Sequence, residues 1–102
     1  MTKKDMKFRL ASRIVDCEIL EDTALQAVKL EYERVMGEFP HAVSLNTMVA
    51  RVRGKLLERD NYDFAIESMA FAYNDYKNTR HELEQVFEEF FGQRSCDYRA
   101  GC

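Results

Sequence analysis

Glu38 and His41 stand three residues apart, the E-x-x-H spacing that turns two ligands toward one metal ion when both lie on a helix. Pro40 falls between them and breaks that turn, because proline disfavours a helical residue before it. No second such pair exists, so no metal site is expected. His81 lies beside Glu82 at the start of a predicted helix and reads as an ordinary surface group. Cys17 falls near an apolar helix face and reads as a small buried hydrophobe. Cys96 and Cys102 lie in the last ten residues. Three cysteines without a C-x-x-C pair fit reduced thiols better than a disulfide framework. An oxidising setting would let Cys96 and Cys102 close a small loop. Arg94 and Arg99 can lower the Cys96 thiol, but a nucleophile needs a positioned base, and no histidine is near in sequence. GxSxG, P-loop and GxGxxG patterns are absent. The expectation is therefore no catalytic residue, no cofactor and no metal.

Charge offers a different chemistry, because it is sorted along the chain. Residues 1–14 sum to +4, residues 15–36 to −4, residues 37–60 to +1 and residues 61–92 to −5. Arg51, Lys55 and Arg59 recur at steps of four and would form one basic row on a helix. With Arg53 and an amino-terminal arm of Lys3, Lys4 and Lys7, that row can contact nucleic-acid phosphates. No aromatic platform interleaves with these bases in sequence, and no glycine-turned helix pair precedes the row. Packing of basic helices beside acidic ones explains the sorting more simply. The acids Glu82, Glu84, Glu88 and Glu89 can also be read as a phosphate-like row for a basic partner, or as a solvated face.

Positioning these groups falls to helices. Thr2 and Asp5 suit the start of a first helix, with Met6, Leu10, Ile14 and Val15 on one face. Leu25, Val28, Tyr32, Val35 and Phe39 follow steps of three and four, the stripe of a helix packed on another. Gly37 and Pro40 end that run. A break near Glu18 to Asp22 would separate the two, and one long helix is the alternative. Ser44 caps a third helix with Leu45, Met48, Val49, Val52 and Leu56 inward and Gly54 in its middle. Asn61 is expected to open a fourth, with Tyr62, Ile66, Met69, Tyr73 and Tyr76 inward. Thr79 and Glu82 form a capping-box pattern for a fifth, which Gly92 stops. No sustained alternation or hairpin signal marks a strand. The fold class expected is all-α, one compact bundle of four to five helices over residues 1–92, with 93–102 a flexible tail.

Twelve aromatic rings are many for an interior this small. Phe64 and Phe71 lie off the main stripe, and Phe90 and Phe91 are adjacent, so these four are expected to reach the surface and meet a partner. A net charge of −3 argues against a generally basic, polyanion-seeking surface. Met1 to Asp16 has no unbroken apolar run, and no stretch approaches a membrane span, so a cytoplasmic address without membrane partners is expected. The reading that follows is a non-enzymatic protein–protein interaction module, self-associating as a homodimer or higher oligomer. Its type suits a regulatory or inhibitory accessory protein of phage or plasmid kind. Nucleic-acid binding through the basic third helix and the amino-terminal arm is the alternative.

Overall fold

The computed structural model describes residues 2–99. These hold four α-helices: α1 (Lys3–Met36), α2 (Leu45–Glu58), α3 (Ala65–Phe91) and α4 (Ser95–Arg99). No strand occurs among the described residues, so the all-α expectation holds.

Thr2 opens α1 as its sequence implies. The Asp5 amide donates to Thr2 Oγ1 at 3.1 Å, and the Thr2 amide donates to Asp5 Oδ2 at 3.4 Å. The helix then runs 34 residues, through the expected break at Glu18 to Asp22. That stretch holds neither glycine nor proline. A stop there would leave four carbonyls and four amides without helical partners. Asp and Thr in mid-helix cost only ~0.5 kcal/mol each. Continuity wins. At the far end Gly37 takes φ 72° and its amide closes on the Glu33 carbonyl at 2.9 Å. Phe39 lies past that stop and is exposed, not on the buried stripe.

Ser44 caps α2 as expected, accepting the Thr47 amide at 3.2 Å. The helix closes in a Schellman arrangement. The Asp60 amide meets the Leu57 carbonyl at 3.1 Å and the Asn61 amide meets the Leu56 carbonyl at 2.9 Å, with Asp60 at φ 53°. Asn61 therefore ends α2 and does not cap the next helix. α3 begins later, at Ala65, whose amide is held by Asp63 Oδ1 at 3.0 Å. It is one helix of 27 residues, so the expected fifth helix does not start at Thr79. The capping-box pattern at Thr79 and Glu82 lies in its interior. Gly92 ends it at φ 66°, with its amide on the Glu88 carbonyl at 2.8 Å.

The chain divides into two compact units, where the sequence suggested one bundle over residues 1–92. Residues 21–74 form one, built by the second half of α1, all of α2 and the first half of α3. Its core is Val28, Tyr32, Val35, Met48, Val52, Leu56, Ile66 and Ala70. Tyr32 is fully buried, yet its hydroxyl is satisfied. It donates to Glu38 Oε1 at 2.5 Å and accepts from Arg51 Nη1 at 3.1 Å. The other unit joins residues 1–20 to 75–102. Here the first half of α1 and the second half of α3 pack around Ala11, Ile14 and Phe87.

The carboxyl-terminal segment departs from the expected flexible tail as far as residue 99. Ser95 opens α4 fully buried, its hydroxyl donating to Glu84 Oε1 at 2.9 Å and its amide to the same oxygen at 3.3 Å. Arg99 reaches Glu18 through two guanidinium nitrogens, at 3.2 and 3.3 Å. The Tyr98 ring lies 6.0 Å from that of Phe87. Cys96 is disulfide-bonded, against the free thiol expected, while Cys102 falls outside the described residues. Cys17 is free and buried, as its place on the apolar face implied.

Candidate interaction surfaces

A pair of antiparallel helices has two open sides, and in the unit of residues 1–20 and 75–102 only one is covered among the described residues. Ala11, Ile14 and Phe87 face one another between α1 and α3. α4 lies over one side of that seam, through Tyr98 on Phe87 and Arg99 on Glu18. The opposite side is an apolar groove of about 230 Å³. Met6 and Leu10 from α1 and Val86, Phe90 and Phe91 from α3 line it. Phe90 is 60% exposed and Phe91 is half-buried, tilted against Phe87 at 4.9 Å between ring centres. Of the expected pair, then, Phe90 reaches solvent and Phe91 supports it from behind.

Charge flanks this groove on both sides. Arg9 and Arg13 stand on the α1 edge. On α3, Glu82 precedes Val86 by four residues and Glu89 follows it by three, so both project from the outer edge beyond Val86 and Phe90. All four charged side chains are exposed. None makes a hydrogen bond or ion pair within the described residues.

At the end of the same unit the amino-terminal lysines meet the aromatic rings of the other chain end. Lys7 Nζ lies 5.5 Å from the Phe91 ring centre and 4.8 Å from that of Tyr98, and Lys3 Nζ lies 5.9 Å from Phe91. With Lys4 they surround an open recess of about 410 Å³. The sequence offered no aromatic platform among these bases, because Lys7 and Phe91 are far apart along the chain and the antiparallel pairing of α1 with α3 brings them together.

In the unit of residues 21–74, Phe64 is 68% exposed and Phe71 is 73% exposed. Tyr62 meets Phe64 edge to face at 5.0 Å. The basic row of α2 is partly committed. Arg51 donates to Tyr32, which raises its guanidinium above an already high value. Arg53 is paired with Glu67 at 2.9 Å. Lys55 is half-buried and Arg59 caps the helix end. Two of the four bases proposed for phosphate contact are thus already engaged.

Among the described residues no cluster of three metal-ligating side chains occurs, and no helix is long and apolar enough to cross a membrane. His41 and His81 are exposed at a turn and in the middle of α3. Comparison with protein-family models, curated proteins and solved structures finds no match to this chain.

Sequence periodicity sets Met6 on one face with Leu10 and Ile14, yet it reaches the surface, and it does not mark Val86 as a surface group. The available signal was angular. Val86 and Phe90 are one turn apart and sit to one side of Phe87, which takes the centre of the seam.

Proposed function

We propose that this chain is a non-enzymatic protein–protein interaction module that binds through the groove between α1 and α3. The observation carrying this reading is an apolar groove lined by Met6, Leu10, Val86 and Phe90, with charges on both edges that have no ion-pair partner among the described residues. An apolar centre inside a charged rim is the anatomy of a recognition patch. Burying Phe90 would contribute about 1.5–3 kcal/mol, while each rim charge pair adds at most about 1 kcal/mol. The apolar floor therefore supplies affinity, and the rim selects orientation. A regulatory or inhibitory accessory role is the broader setting that suits such a module. The test is a photo-crosslinking residue placed at position 90, with the same residue at Gly54 as control. Defined polypeptide adducts at 90 and none at 54 support the reading. No adduct at 90 overturns it.

A second reading rests on the cluster of Lys3, Lys4 and Lys7 around Phe91 and Tyr98. Cations beside aromatic rings suit single-stranded nucleic acid, whose phosphates and bases they would hold in turn. Binding of a fluorescent single-stranded oligonucleotide that falls steeply with salt, and is lost in Lys3→Glu with Lys7→Glu, would support it.

A further inference from the structure

Resting on the interaction reading above, we infer that the occupant of the α1–α3 groove is a second copy of this chain, related by a two-fold axis running along the helices. Three observations point this way. The first is architectural. Two antiparallel helices with α4 on one side form an incomplete layer, and the other side leaves Met6, Val86 and Phe90 exposed where a further layer of helices would bury them.

The second is charge. The α1 edge of the groove is basic, through Arg9 and Arg13, and the α3 edge is acidic, through Glu82 and Glu89. Two face-to-face arrangements are two-fold symmetric. An axis across the helices would set α1 on α1, and arginines on arginines. An axis along the helices sets α1 of each copy on α3 of the other, so every basic edge meets an acidic one.

The third is level. Lys7 lies beside Phe91, and the helices are antiparallel. Two residues onward on one helix and back on the other, Arg9 is level with Glu89. Arg13 falls about 4.5 Å along the axis from Glu82, within reach of a guanidinium. Since the axis along the helices preserves level, both pairs form twice across the interface. Met6, Leu10, Val86 and Phe90 from both copies then fill the centre of a four-helix arrangement.

The contact face is short. About twelve residues of each helix give a length of ~18 Å. That places the interface at the small end of specific contacts, with a dissociation constant in the micromolar range expected. Sedimentation equilibrium from about 1 to 200 µM spans that range.

The decisive experiment uses two full-length variants, Arg9→Glu with Arg13→Glu, and Glu82→Arg with Glu89→Arg. Wild type should dimerise. Each variant alone should be at least tenfold weaker, because like charges meet, with circular dichroism confirming that each remains helical. Mixed in equal amounts, the two should form a heterodimer near wild-type affinity, because both edges regain opposite charge. Wild type that stays monomeric to 200 µM overturns the inference. So does a wild-type dimer whose variants still dimerise alone and gain nothing on mixing. The crosslink at position 90 separates this from failure of the broader reading. An adduct of twice the chain mass belongs to the dimer, an adduct with another polypeptide leaves only the interaction reading standing, and none removes both.

Discussion

At the scale of single residues, the structure separates positions that look alike in the sequence. Gly54 and Gly92 are both glycines in helical surroundings. Gly54 sits on the exposed face of α2 with open space where a Cβ would go, while Gly92 holds φ 66°. Gly54→Ala should therefore stabilise by about 0.5–1 kcal/mol through helix propensity. Gly92→Ala should destabilise by about 1 kcal/mol through left-handed strain. Urea unfolding of both variants checks the opposite signs. Tyr32 makes a related point. Periodicity placed its ring inward correctly, but could not show that Glu38 and Arg51 would satisfy the hydroxyl, since Arg51 comes from another helix. Tyr32→Phe keeps the ring and strands two partners, so a loss of about 1–2 kcal/mol is expected in the same assay. A change below 0.3 kcal/mol would mean those hydrogen bonds are not formed in solution.

At the scale of elements, start and stop signals were legible where the chain offers no competing route. Thr2, Gly37, Ser44 and Gly92 all act as their types suggest. The misleading signal was Thr79 with Glu82. A capping pattern starts a helix only if something ends the one before it, and Asn78 alone does not. Thr79→Ala tests this. A true cap would cost about 1 kcal/mol. An interior threonine should change stability by less than about 0.5 kcal/mol in either direction. The last segment was misread for a related reason. Its few apolar residues suggested nothing to bury, yet Ser95 is held by Glu84 and Tyr98 covers Phe87, contacts invisible from composition. Removing residues 93–102 should lower the melting temperature by about 4–8 °C per kcal/mol lost, with at least one such step expected. An unchanged melting curve would show that α4 contributes nothing to its unit.

At the scale of the molecule, class and charge sorting were readable, and the division into two units was not. Division depends on where α1 and α3 change neighbours, and both helices continue through those points without a glycine or proline. The sorted charges take on meaning only when helices are paired. Residues 1–14 and 75–91 supply the two edges of one groove. Salt distinguishes the surfaces. Four rim pairs around an apolar centre should lose less than about tenfold in affinity between 0.05 and 0.5 M salt. A site that neutralises three phosphates on a single strand should lose about a hundredfold over the same range. Sedimentation and oligonucleotide titration at the two salt concentrations read these directly. The placement of α4 has one more consequence. By masking one flank of the helix pair it leaves that pair with one exposed apolar side, so the proposed self-association would stop at two. A protease nick after Arg94, which lies in the exposed stretch before α4, would bare the other flank. The clipped molecules could then stack in both directions, and the expected product is growing fibrils, visible as turbidity, in place of closed pairs.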